Sequence, residues 1–195
     1  TYSLKNNKIN IRSVYKTEAE NVLFEYDFIN LRNFEKQKLI TNDEEFKTHS
    51  IINKETGLMY QSKRYNKEIN EFDNQEIIDL MGEININLDI NHPSFLKFIG
   101  YSPVDYKNRS RPVLINEYPS NGSLDQITEL DQSENTFLTD TKKLIIIFGI
   151  AAGMQYLHSL DIVHCELKIA NIFLDEYLFP KIAGLEKSKK VSQLS

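Results

Sequence analysis

The sequence predicts an α+β fold, and three observations predict it. Four short strand-like runs, 33–40, 58–65, 95–101 and 112–118, all precede residue 119. The segment 74–88 carries apolar residues at helical spacing. The segment 141–158 is apolar nearly all round, as suits a helix buried in a larger core.

Composition bounds the rest. The chain has 195 residues, room for one ordinary domain or two small lobes. Apolar residues make up 41%, so a sizeable core can form. A net charge of −5 argues against a general nucleic-acid or anionic-membrane binder, which is usually basic. The longest apolar run, 144–154, is too short to span a bilayer, which takes ~20 residues. The single cysteine, Cys165, rules out an intramolecular disulfide and fits a reducing compartment. No basic start followed by an apolar run suggests a signal peptide, so the expected location is cytoplasmic. The four histidines, at 49, 92, 158 and 164, are not at zinc spacing.

Residues 1–32 read as an N-terminal extension. Leu4, Ile9, Ile11 and Val14 suggest a short strand or arm, and 18–28 a helix; no chemistry is visible there. The run N-F-E-K-Q-K-L-I at 33–40 has the alternation of a half-buried strand. An acidic stretch, T-N-D-E-E-F at 41–46, follows, and K-E-T-G at 54–57 is a hairpin turn before the strand at 58–65. In the helix at 74–88, Ile77, Ile78, Leu80, Met81 and Ile84 form the apolar face. Asn91-His92-Pro93 ends it, because the residue before proline avoids the helical region. A polar loop at 102–111 separates the last two strands. Asn121-Gly122-Ser123 fits a glycosylation sequon, but a plain turn is the simpler account. A short helix is expected at 123–130, a polar loop at 131–140, and then the long helix, with Thr139 or Asp140 as its N-cap. Residues 172–174 and 179–182 read as a small hairpin.

The chemistry concentrates at 161–175, D-I-V-H-C-E-L-K-I-A-N-I-F-L-D. His164, Leu167 and Asn171 stand at the spacing of the catalytic-loop pattern H-R-D-L-x-x-x-N. Further segments follow in matching order: Lys63, Glu83 twenty residues on, His92-Pro93, V-L-I-N-E-Y-P-S-N-G-S-L at 113–124, and Lys181-Ile182-Ala183. The chain therefore resembles a eukaryotic-type protein kinase domain over roughly residues 33–189, nearest the tyrosine-kinase-like branch of the Ser/Thr kinases. The resemblance implies a protein-kinase-like α+β fold. It has a five-stranded antiparallel N-lobe sheet with its C-helix at 33–118. A partial, mainly helical C-lobe at 119–195 ends just after the D-F-G position. By the same resemblance, Lys63 is the strand lysine that pairs with Glu83, and Asn116 is the gatekeeper. The backbone of Glu117 and Tyr118 meets adenine. Glu166 takes the catalytic aspartate's place, Lys168 neutralises the transferring phosphoryl group, and Asn171 holds one metal ion. Taken singly, Lys63 and Glu83 are also ordinary solvated residues of a strand and a helix.

The departures from the family are as specific as the matches. The glycines of the phosphate-covering loop are replaced by Thr41, Asp43 and Phe46, and Asp43, Glu44 and Glu45 repel a polyphosphate. Gln61 replaces a small apolar residue at the adenine, and Asn87 an apolar residue of the C-helix. Cys165 cannot supply the family arginine's permanent charge, and is expected to be a partly buried free thiol. Glu166 is one methylene longer than Asp, and a misplacement of ~1 Å can cost ~100-fold. At the D-F-G position stands Gly184-Leu185-Glu186. Without a gap, Gly184 replaces Asp; with a two-residue deletion, Gly184 is the motif's own glycine; either way the metal-binding Asp is absent.

The expectation is a catalytically inactive pseudokinase fragment that acts, if at all, as a binding or scaffold module. No cofactor is expected, or ATP and Mg²⁺ if activity or nucleotide binding is retained. The alternative is a weak Ser/Thr protein kinase transferring phosphate from ATP; a remnant without function is the third possibility. A protein partner is expected through an exposed C-lobe surface, with no nucleic acid and no membrane, and the oligomeric state is left open.

Overall fold

The computed structural model describes residues 28–134 and 138–193. The strand and most of the helix expected in the first 28 residues lie outside the described residues. Five strands, β1 (Phe34–Asn42), β2 (Phe46–Asn53), β3 (Met59–Tyr65), β4 (Phe98–Ser102) and β5 (Val113–Glu117), form an antiparallel sheet in the order β1-β2-β3-β5-β4. Strand alternation sends Tyr60, Ser62 and Arg64 to one face of β3, and Gln61, Lys63 and Tyr65 to the other. The outer face buries Leu31, Phe34, Ile51, Val113 and Ile115. Residues just before β1 join this lobe: Ile29 N–H donates to Tyr101 O at 2.9 Å. The acidic β1–β2 turn closes on itself. The Asp43 carboxylate accepts the N–H groups of Glu45 and Phe46 at 3.0 and 2.7 Å, as aspartate does in tight turns.

The inner face packs on helix α1 (Asn74–Asp89). Asp73 caps α1 by accepting from Glu76 N, and Glu76 returns the bond to Asp73 N–H. This reciprocal box satisfies two otherwise orphaned donors. Leu80 and Ile84 pack against Tyr101 and Leu114 of the sheet, while Ile86 reaches the other lobe. The fourth strand starts at Phe98, three residues later than expected. Residues 94–96 pair instead with the far lobe: Leu96 N–H donates to Ile182 O at 2.9 Å, and Ile182 N–H to Ser94 O at 2.6 Å.

The second lobe holds α2 (Leu124–Glu134) and α3 (Asp140–Ser159), then the short strands β6 (Ile162–Val163), β7 (Ile172–Leu174), β8 (Pro180–Ile182) and β9 (Lys189–Lys190). The second helix runs into the stretch expected to be loop. Its residues 131–134 are polar but contain no helix breaker, so the helix continues. Thr139 caps α3, its hydroxyl accepting from Lys142 N–H at 3.4 Å. The helix lies close on the β7–β8 hairpin because its contact residues are glycines. A Cβ on Gly153 would lie 2.6 Å from Ile182 Cδ1, and one on Gly149 would lie 2.5 Å from Pro180 Cγ. Leu157, Ile162, Ile172 and Ile182 form the core beneath it, together with Phe95 and Ile86 of the first lobe.

The expectation that the run 144–154 is buried holds for only part of α3. Ile146 and Gly153 are buried, whereas Leu144, Ile147 and Phe148 are 67%, 62% and 77% exposed. The chain offers nothing to cover that side among the described residues, and Phe179 extends the apolar strip. No helix among the described residues is long and apolar enough to cross a membrane.

Two outcomes follow from this packing. Replacing Gly153 with Val should overpack the α3–β8 contact and lower stability by about 1–3 kcal/mol, measured by urea denaturation. Wild-type protein should self-associate through the bare face of α3, since large exposed apolar patches drive association. Ile147→Glu with Phe148→Glu should shift it towards monodisperse species in size-exclusion chromatography with light scattering. A wild type that is already a monodisperse monomer would contradict this.

Candidate functional site

A cleft of about 650 Å³ separates the lobes. Its roof is the inner face of β3 and β5, and its floor is the loop between β6 and β7 with the segment after β8. The alternation that turns Lys63 inward also turns Gln61 and Tyr65 inward, two residues to either side. Lys63 Nζ meets Glu83 Oε1 of α1 at 2.8 Å. Tyr65 Oη donates to Glu83 Oε2 at 2.9 Å, so both oxygens of this buried carboxylate are engaged. The pair that the sequence spacing suggests is therefore together.

Lys63 has a second anionic partner that sequence reasoning missed. Glu186 Oε1 also accepts from Nζ. The Phe46 ring covers the same ammonium, its centroid 4.3 Å from Nζ. The Tyr65 ring lies farther off, its centroid 5.7 Å away, so two carboxylates and two aromatic rings surround a single positive charge. Burial alone would lower the Lys63 pKa, but the two carboxylates outweigh it and hold the value above the ordinary lysine range. Burial raises the Glu83 carboxyl, opposed by Lys63. At Glu186 burial also raises the carboxyl, but the Lys63 charge and hydrogen bond prevail and keep it below the usual range. Both carboxylates compete for one counter-charge, and the more deeply buried of the two is the one pushed up.

Glu186 reaches Lys63 because of the backbone before it. Gly184 takes the left-handed conformation at φ 79°, which opens a 3-10 turn over Leu185–Lys187. Leu185 then drops into the core beside Ile86 and Phe95, and Glu186 points up at β3. A Cβ at position 184 would stand 2.4 Å from Asn171 Nδ2. Position 184 therefore faces Asn171, Leu185 fills the apolar position after it, and Glu186 comes third. This follows the gap-free of the two alignments.

The floor is braced by hydrogen bonds rather than by charge. His164 is 1% exposed, with Nε2 2.9 Å from Ala183 O. Its Nδ1 accepts Glu166 N–H at 3.3 Å, which assigns the ring proton to Nε2. Burial lowers its pKa and favours this neutral form. Asn171 Nδ2 donates to Glu166 O at 3.0 Å, and Asn171 O accepts from Ala183 N–H at 2.8 Å. Glu166 and Lys168 pair with each other at 2.9 Å. Cys165 is exposed rather than partly buried, because its φ of 61° turns the side chain outward. At the hinge, Glu117 Oε1 accepts Lys97 N–H at 3.0 Å and meets Lys181 Nζ at 3.2 Å, tying β5 to β8. Tyr118 lines the cleft beside it, and Asn87 Nδ2 turns back to Glu83 O at 2.9 Å.

These residues do not fit a metal–polyphosphate ligand. The side chain that would join Asn171 at a metal is a hydrogen atom at Gly184, which leaves Asn171 Oδ1 alone there, its Nδ2 donating to Glu166 O. The Lys63 ammonium is enclosed. Among the described residues no group of three His, Cys, Asp or Glu side chains could hold a metal ion. Of the groups around Lys63 that were missed, Tyr65 and Phe46 carried a signal. Tyr65 shares the inward face of β3, and Phe46 stands across the ladder from Tyr65, with the rings 4.7 Å apart.

With this sheet, helix and loop in place, comparison with known proteins is direct. Residues 34–195 match the protein kinase domain family, and the chain belongs to it. Among similar proteins, the cysteine-rich receptor-like protein kinase 42 of Arabidopsis thaliana is 35% identical over 108 residues, 54% of this chain and 16% of that protein. The interleukin-1 receptor-associated kinase-like 2 of Rattus norvegicus is 35% identical over 104 residues, 53% of this chain and 16% of that protein. The ephrin type-B receptor 3 of Xenopus laevis is 31% identical over 116 residues, 59% of this chain and 11% of that protein. The matched region is thus about a sixth or less of each relative's length.

Replacing Lys63 with Ala leaves Glu83 and Glu186 facing each other without a counter-charge. It should cost about 3–5 kcal/mol at neutral pH. The sign with pH is fixed. In wild type the Glu186 pKa is depressed on folding, so its stabilisation is present above the unfolded value and is lost as pH falls through the folded value. In Lys63→Ala both carboxyl pKa values rise instead. The variant's deficit should therefore shrink as pH falls from 7 towards about 4.5, near the unperturbed carboxyl range. Urea denaturation of both proteins across this range checks the trend.

Proposed function

We propose that this protein kinase domain does not transfer phosphate and serves as a binding module, a pseudokinase. One observation carries the proposal: Glu186 occupies the ammonium of Lys63 that a nucleotide's phosphates would need. Three others support it. The turn at 43–45 is acidic and closed by its own Asp43 carboxylate, Gly184 brings no carboxylate to Asn171, and Lys168 is held by Glu166. Phosphoryl transfer depends almost wholly on positioning and charge neutralisation, and these are the elements lost.

The competing reading is a weak Ser/Thr protein kinase. It draws on the Lys63–Glu83 pair at 2.8 Å and on the presence of Lys168 and Asn171 in the loop. It needs Lys63 to leave Glu186 and a metal to be held without the family aspartate. The binding reading needs neither. Its surface would be the bare face of α3, where Leu144, Ile147 and Phe148 suit a protein partner with an apolar contact patch. The exposed thiol of Cys165 suits a reducing, cytoplasmic setting.

No Mg²⁺-dependent transfer of γ-phosphate from ATP is expected, to the protein itself or to a generic substrate. Gly184→Asp alone should stay inactive, because the new Cβ meets the Asn171 amide and Lys63 remains enclosed. Glu166→Asp alone should stay inactive too, since groups that act as a unit are not restored singly. Labelling by wild type that disappears in Lys63→Ala would establish the kinase reading instead.

A further inference from the structure

We propose that a second cavity, walled by aromatic rings and carboxylates beside α1, binds the arginine side chain of a partner peptide. The cavity measures about 190 Å³ and lies along the first half of α1, between the β1–β2 turn and the turn after β8. Phe46, Glu83 and Glu186 line both it and the large cleft. It is a contact of its own, apart from the bare face of α3. Its size is below the ~300–1,000 Å³ of small-molecule sites, and suits one long side chain.

The walls are aromatic. Tyr65 turns inward by strand alternation, Phe46 stands across the ladder from it, and Phe72 ends the 3-10 turn that leads into α1. The rings of Phe46 and Tyr65 meet edge to face at 4.7 Å, and that of Phe72 follows at 5.6 Å from Tyr65. Leu80, 1% exposed, adds an apolar wall. Two of these rings already carry a cation of the chain itself. Lys63 Nζ lies 4.3 Å from the Phe46 centroid and 5.7 Å from that of Tyr65, with Glu83 and Glu186 beside it. The negative face of a ring attracts a cation, the more so where water is excluded.

The charge of the cavity is not balanced. Six carboxylates line it, those of Glu44, Glu45, Glu76, Asp79, Glu83 and Glu186, against two lysines, Lys67 and Lys187. Lys67 is taken by Glu76 at 2.6 Å, and Glu83 and Glu186 share Lys63. Glu44, Glu45 and Asp79 have no ion pair among the described residues, and Lys187 forms none with them. Carboxylates without counter-charge beside three rings select a cation. A metal ion does not fit, because among the described residues no group of three His, Cys, Asp or Glu side chains could hold one. Arginine fits better than lysine. Its planar guanidinium stacks on aromatic faces and forks to carboxylates, and its stem can lie along Phe72 and Leu80.

The test titrates the whole chain with a blocked glycine-arginine-glycine peptide, followed from the peptide's own NMR signals. Matched peptides carry citrulline, the neutral isostere, or lysine. The arginine peptide should bind wild type at least about tenfold more tightly than the citrulline peptide, a factor within reach of one charge contact. It should bind about threefold more tightly than the lysine peptide. Its δ protons should shift upfield on binding, because they lie over ring faces; contact with exposed carboxylates alone would not shift them. Glu45→Gln with Asp79→Asn should weaken the arginine peptide by about tenfold. Both residues are exposed, so the fold is kept. Phe72→Leu removes one ring and should lower arginine affinity by about threefold, with a smaller upfield shift. Arginine peptide that does not bind, or binds no better than the citrulline or lysine peptide, overturns the proposal. So does binding without the upfield shift, or binding unchanged in the Glu45→Gln, Asp79→Asn protein. If Phe72→Leu fails to fold, the charge variant and the peptide ratios decide. Phosphate transfer enters none of these readouts, so the cavity is judged separately from the non-catalytic reading.

Discussion

The Lys63 ammonium ties together three segments that are far apart in the chain. It stands on β3, Glu83 comes from α1, and Glu186 from the turn after β8. Elsewhere the lobes meet through apolar contacts, the backbone bonds of Ser94 and Leu96 with Ile182, and the Glu117–Lys181 pair. A buried pair is a weak source of net stability, because desolvation consumes most of the Coulomb gain, but breaking one by removing a partner is expensive. The consequence is geometric. α1 cannot rotate away from the sheet, nor can the turn after β8 withdraw, without stranding a carboxylate in a site of low polarity. Tyr65 adds to this by holding the second oxygen of Glu83. The lobes are thus connected by an internal ion cluster of Lys63, Glu83 and Glu186.

The lower lobe follows from the same constraint. For Glu186 to reach upward, the backbone must turn sharply after Ala183, and Gly184 supplies the left-handed conformation that a side chain resists. That turn brings Ala183 O to the buried ring of His164 and Ala183 N–H to Asn171 O. The loop carrying Glu166 is then braced from behind by His164 and Asn171 together. On the cleft side of the loop Glu166 pairs with Lys168, and Asn171 faces a glycine.

How much of this was legible in the sequence depended on how local each cause was. The pairing of Lys63 with Glu83 was legible only through the resemblance, whose motif order and twenty-residue spacing pick out these two residues. The hinge-like run at 113–124 and the loop at 161–175 were legible as ordered motifs. Glu186 was not, because at Gly184-Leu185-Glu186 two alignments were open, and only packing of Leu185 beside Ile86 and Phe95 separates them. Nor was the exposure of Cys165, which depends on a positive φ at a residue that is not glycine. The start of the fourth strand was misplaced because residues 94–96 look strand-like but pair with Ile182 of the other lobe, a long-range contact that no local pattern reports. The α2 boundary failed for the opposite reason: a polar stretch reads as loop, yet polarity alone does not end a helix.

The substitutions make sense together when charge is followed rather than motif. The glycines of the phosphate-covering loop gave way to a self-closed acidic turn and to Phe46, whose ring lies over Lys63. Gly184 brings no carboxylate to Asn171. Two residues on, Glu186 brings one to Lys63. In the family's mechanism the lysine, the metal ions and the phosphates balance one another's charge across the two lobes. Here a side chain of the chain itself supplies the negative charge that meets the lysine. The Lys63 charge is thus met within the protein, by Glu83 of the first lobe and Glu186 of the second.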